Sequence, residues 1–128
     1  MRKMMMALIV MATFVGCGQP AAPKTAHYRP VSHWVKALKD PDAKVRRKAV
    51  RILGNVGTND AAVIPSLIVA LRDADVNVRN EAIVALMKIG APAKEAIATL
   101  ENIKAHDADA KGREYAGKAI DRIGNDSP

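Results

Sequence analysis

The sequence predicts an all-α fold, a short right-handed α-solenoid of about three helix-turn-helix repeats with six helices. Three observations predict it. One segment recurs three times at spacings of 33 and 34 residues. Within it, apolar residues follow a helical period. The apolar complement is aliphatic: hydrophobic residues make up 49% of the 128-residue chain and aromatic ones only 3%, so the core must be built from Ala, Val, Ile and Leu.

The repeated segments are DPDAKVRRKAVRILGNVG from Asp40, DADVNVRNEAIVALMKIG from Asp73 and DADAKGREYAGKAIDRIG from Asp107. Six columns align without gaps: Asp42, Asp75 and Asp109; Arg46, Arg79 and Arg113; Ala49, Ala82 and Ala116; Leu53, Leu86 and Ile120; Val56, Ile89 and Ile123; Gly57, Gly90 and Gly124. The Asp column suits a helix N-cap, because a carboxylate accepts the unpaired N–H groups of a first turn. Val45, Ala49, Ile52, Leu53 and Val56 recur at helical spacing, as do Val78, Ala82, Ile83, Leu86 and Ile89. The closing Gly fits a left-handed C-terminal cap. Mid-helix Ala permits close helix approach.

A first helix precedes each of these second helices. SHWVKALK spans 32–39 with Ser32 as its cap, DAAVIPSLIVALR spans 60–72, and APAKEAIATLENIK spans 91–104. Pro65 and Pro92 are tolerable only near a first turn, where the missing N–H has no partner to lose. The repeat domain then covers 31–124, in units of about 31–57, 58–90 and 91–124, followed by a tail at 125–128. In the third unit Gly112 replaces a Val and Gly117 sits mid-helix, so its second helix is expected to be the loosest, at about 1 kcal/mol per interior Gly relative to Ala.

LKDPDAKVRRKAVRILGNVG and LRDADVNVRNEAIVALMKIG resemble the short HEAT-like repeats of the phycobilisome-lyase class. Neither the T-P-L-H of ankyrin repeats nor the Trp/Leu-Gly/Tyr pattern of tetratricopeptide repeats occurs. The resemblance implies a structural ladder between neighbouring repeats, formed by Asp42, Asp75 and Asp109 with Arg46, Arg79 and Arg113.

The N-terminus reads as an address. Arg2 and Lys3 precede an uncharged apolar run over 4–15, too short for a comfortable membrane span. FVGC at 14–17 resembles the lipobox of bacterial lipoproteins, with Phe14 where Leu is usual. The resemblance implies a signal peptide over 1–16 and lipidation at Cys17, followed by a Pro- and Ala-rich tether to residue 30. The alternatives are a buried cysteine or a reactive thiol. The first fails on the lack of any polar helix face there, and the second on the absence of a nearby His or positive flank. The chain is therefore expected to be exported and held at the cell membrane or outer membrane, facing periplasm or exterior.

The formal charge of +7 falls to +5 once Arg2 and Lys3 leave, with 18 basic and 13 acidic side chains remaining. That excess is local. Residues 29–51 carry eight basic and two acidic groups, whereas residues 91–124 carry six of each.

Catalytic chemistry finds no footing. DADVN resembles the start of a calcium loop, but Val78 and Val84 stand where that loop needs Gly and Glu; in the third unit Lys118 takes the Glu position. His27, His33 and His106 lack the adjacent Glu by which some HEAT-like enzymes hold di-iron. No cofactor, metal, nucleic acid or small-molecule substrate is expected. The expected role is a non-enzymatic adaptor or scaffold for an unknown protein partner, with an acidic surface among the candidates. An accessory subunit of a lyase-like or other enzyme complex is the alternative, and a nucleic-acid binder is less favoured. The expected contact surface is the inner groove of the second helices, through Arg47, Arg51, Asn80, Val84, Glu114 and Lys118.

Overall fold

A computed structural model describes residues 29–125. Six α-helices run through them: α1 Val31–Ala37, α2 Ala43–Val56, α3 Val63–Ala70, α4 Val76–Ile89, α5 Ile97–His106 and α6 Ala110–Asn125. Short 3-10 turns, Gly57–Asn59 and Ala91–Ala96, join the repeats, and no strand occurs among the described residues. The second helices α2, α4 and α6 stack directly on one another, and each first helix packs beside its own partner. The expected signal peptide, Cys17 and all but the last two residues of the expected tether lie outside the described residues, as does His27.

The core is aliphatic, as the composition requires. Leu53, Leu67, Leu71, Ile83, Leu86, Leu100 and Ile123 are its largest fully buried side chains, and no charged or polar residue is buried among the described ones. Removing this much aliphatic surface from water, at about 25 cal/mol per Å², drives the stacking. A Cβ at Gly54 of α2 would stand 2.7 Å from the Ala85 Cβ of α4, so the glycine lets the first two repeats approach closely.

Several helix ends differ from expectation. Pro30, in extended geometry, precedes α1, and Ser32 lies inside the helix without capping it. The third helix starts at Val63 rather than residue 60, because the Asp60 carboxylate accepts the Ala62 N–H at 2.8 Å and holds the chain in a turn. Pro65 then sits in the first turn, where its missing N–H is harmless. The segment from residue 91 begins as a 3-10 turn with Pro92 at its start and Ala93 off helical geometry, and becomes α-helical only at Ile97. Gly57 and Gly90 close α2 and α4 with positive φ of 61° and 73°. Their ψ of −132° and −140° lies outside the left-handed helical region, in a zone open to glycine alone. Gly124 is not a cap, since α6 continues through it to Asn125.

Candidate functional site: the inner groove and its ladder

Each D-x-D turn divides labour between its two carboxylates. The second Asp caps the helix. Asp42 accepts the Lys44 N–H at 2.9 Å, Asp75 those of Asn77 and Val78 at 2.8 and 3.2 Å, and Asp109 that of Gly112 at 2.8 Å. In the second and third turns the first Asp also carries the rung, whereas Asp40 accepts the Asp42 N–H at 2.8 Å. Arg46 donates from Nε and Nη2 to Asp73 at 2.9 and 3.1 Å, while its Nη1 holds the carbonyls of Asp40 and Pro41. Arg79 repeats this with Asp107 at 2.9 and 3.2 Å and the carbonyls of Asp73 and Ala74. Arg113 holds the carbonyls of Asp107 and Ala108.

The expected ladder is thus corrected in its acidic column. Arg46 and Arg79 are rungs, but they pair with Asp73 and Asp107. Asp42 and Asp75 spend their carboxylates on caps. Asp109 does bridge repeats, by accepting from Asn80 Nδ2 at 2.9 Å rather than from an arginine. The reason is geometric. A carboxylate aimed at its own helix's first-turn N–H groups faces down that helix, leaving the preceding Asp to face the neighbouring repeat. Burial pushes the Asp73 and Asp107 carboxyls up, yet the bidentate arginine and one backbone N–H on each outweigh it, and both settle below the usual carboxylate range.

Gly112, which replaces a Val of the other units, belongs to this second joint. A Cβ there would stand 3.0 Å from Asn80 Oδ1 and 3.3 Å from Asp109 Oδ2. The glycine leaves room for the Asn80–Asp109 bond. Gly117 has no such role, with only Lys104 methylenes at 3.8 and 3.9 Å.

Of the six residues expected in the inner groove, Arg47, Asn80 and Val84 come together in a shallow depression of about 230 Å³, joined by Asn77, Glu81, Lys111 and Tyr115. Arg51 reaches it through Glu81. Arg47 and Arg51 both bind that carboxylate, at 3.3 and 3.2 Å, and each remains about half exposed at 49% and 54%. Burial raises the Glu81 carboxyl, but Arg51 and Arg47 more than offset this and hold it below its ordinary range. Glu114 and Lys118 do not line the depression. They pair with each other at 2.6 Å along the exposed face of α6, where Lys118 also lies 6.0 Å from the Tyr115 ring.

Asn77, Glu81, Lys111 and Tyr115 are the residues that sequence reasoning missed. A signal was present. Lys48, Glu81 and Tyr115 occupy one column of the repeat, next to the column of Arg47, Asn80 and Glu114. A column that changes from cation to anion to aromatic is not a structural ladder, and it marks a surface that varies from repeat to repeat.

The profile of the HEAT repeats matches residues 31–121. The chain belongs to the HEAT-repeat family. Among solved structures, this HEAT-repeat chain is similar to one in the complex of CpcE and CpcF of phycocyanin lyase from Nostoc sp. PCC7120, with a TM-score of 0.66 and 22% identity. The match covers 82% of this chain and 41% of that one, so the chain spans less than half the length of its neighbour. At this identity the likeness establishes the shared fold. No curated protein matches the sequence.

Proposed function

We propose that this HEAT-repeat domain is a non-enzymatic, lipid-anchored adaptor of the bacterial cell envelope, whose inner groove receives an acidic surface of another protein. The observation that carries the reading is the shared carboxylate. Two half-exposed arginines, Arg47 and Arg51, divide one acid, Glu81, so the groove keeps a net positive charge at its centre. Lys111 and Tyr115 extend that surface onto the third repeat. An exposed arginine pair on a rigid helix, beside an aromatic side chain, is the composition of a protein-contact centre. Membership of a family built for stacking and display supports the same role.

The anchor at Cys17 rests on the lipobox-like FVGC. An accessory subunit of a lyase-like complex is the second reading, favoured by the similarity to a chain found in a lyase complex. The test is recovery of partners from membranes after cross-linking, for the wild type beside Arg47→Glu/Arg51→Glu. An acidic envelope protein should be captured by the first and lost from the second while helicity stays constant. Capture indifferent to the charge reversal would sink the groove assignment. A catalytic chain, or a chromophore absorbing outside the protein bands, would move the reading to the second.

A further inference from the structure

The two ends of the stack differ in kind. At the C-terminal end, charges balance. At the N-terminal end, Val31, Trp34, Ile52 and Val56 line an open apolar cleft of about 580 Å³, with Arg29, Asn59 and Asp60 at its margin. In the second repeat the positions matching Trp34 and Ile52 are Leu67 and Ala85, both buried. The first repeat has no repeat before it among the described residues, and α1 buries none of its seven residues.

Two cations flank this cleft. Lys48 lies one turn before Ile52 along α2, so the apolar lining ends against a basic side chain. Lys48 and Arg29 are exposed, whereas Lys44 faces the second repeat beside Arg47, Asp75 and Asn77. The Lys48 ammonium lies 5.8 Å from the centre of the Trp34 ring, which places the charge at the rim of the apolar surface. Asp60, the one acid on the lining, already binds the Ala62 N–H.

The geometry points to this N-terminal end as a docking face for an anionic lipid bilayer, with the Trp34 cleft in the headgroup boundary and Arg29 and Lys48 on lipid phosphates. Three features select a membrane over other occupants. An indole beside a lysine is suited to the interface, where its apolar body and N–H meet different surroundings. Of the eight basic groups over residues 29–51, Arg46 is spent on Asp73 and Arg47 and Arg51 on Glu81, while Arg29 and Lys48 beside the cleft give the charge complement of an anionic leaflet. The chain also enters the domain at Arg29, on this face, and an uncharged apolar run, 4–15, lies upstream of it. The end face then lies on the bilayer and the inner groove stays open, so this inference stands independently of the partner proposed for the groove.

Trp34 is the sole tryptophan, and its emission reports this face alone. The experiment is fluorescence of the full chain titrated with phosphatidylcholine vesicles, with or without phosphatidylglycerol. Residues 4–15 can carry the chain to either lipid, so the Trp34 signal decides and sedimentation does not. A blue shift, with quenching by brominated acyl chains, is expected on the anionic vesicles only. Arg29→Gln/Lys48→Gln, two exposed changes, should lower the apparent affinity read by this signal roughly 25-fold, at roughly five-fold per charge. Trp34 emission unchanged on vesicles that pellet the protein would overturn the inference. So would a shift equal on neutral lipid, or one that grows with protein concentration in the absence of lipid, which would assign the face to a second copy.

Discussion

The two joints of the stack share a skeleton and differ in dress. Each has one bidentate rung, Arg46–Asp73 or Arg79–Asp107, with nearly superimposable distances. Beside the rung, the first joint places two arginines on Glu81, and the second places Asn80 on Asp109 above a glycine. The first joint also has the close approach of Gly54 to Ala85, where the second has Met87 in the matching column. What repeats between the joints holds the helices in register. What changes between them is the exposed surface, which is where the proposed partner contact lies.

The largest effect should come from the skeleton. Arg46→Ala and Arg79→Ala each leave a mostly buried aspartate without its partner, side chains 13% and 9% exposed. Each should cost about 2–3 kcal/mol, below the range for fully buried pairs because some water reaches these. Arg113→Ala, which loses only its two carbonyl bonds, should cost about 1 kcal/mol. Chemical denaturation of the three variants checks the order; equal losses would mean that the rungs add nothing to the carbonyl bonds. The rungs also fix the acid response. Asp73 and Asp107 have lowered pKa values when folded, so their stabilisation is complete above the ordinary carboxyl value of about 3.9 and is lost as pH falls through the lowered one. The denaturation midpoint should therefore hold from pH 7 to about 5 and decline below about 4, less steeply in the arginine variants.

A smaller effect should separate the joints. Gly54→Ala inserts a methyl where only 2.7 Å is free, and should destabilise by about 1–3 kcal/mol despite better helix propensity. A gain in melting temperature would mean that the first two repeats slide apart at no cost. The smallest effect has the opposite sign. Gly117→Ala meets only flexible Lys104 methylenes and should stabilise by about 0.5–1 kcal/mol, raising the melting temperature by a few degrees.

Architecture was legible in the sequence because a stacked repeat states its core several times over. Ala49, Ala82 and Ala116 are buried together, as are Leu53 and Leu86. Gly57 and Gly90 close their helices as the column suggests, while Gly124 shows that a column member at the end of the stack need not share its role. Of the two glycines expected to loosen α6, Gly112 is a packing residue, against Asn80 and Asp109. Pairing was less legible. Two carboxylates two residues apart look alike in sequence, and only the path of the turn decides which caps and which crosses. The groove was half legible: Arg47, Asn80 and Val84 converge, but Glu81 lies one column over, and helix rotation by one residue is not fixed by periodicity alone.

The rungs all lie along one edge of the stack, at the D-x-D turns, and the opposite edge is crossed by chain only at the Gly57 and Gly90 turns. A body clamped on one side behaves like a bound book: it fans at the open side and keeps its shape at the spine. The depression formed by Arg47, Asn77, Asn80 and Lys111 sits on the early turns of α2, α4 and α6, next to that spine. Thermal breathing of the helices should therefore widen the far edge while leaving this surface nearly unchanged. A partner would meet it ready-made, with little ordering left to do on binding.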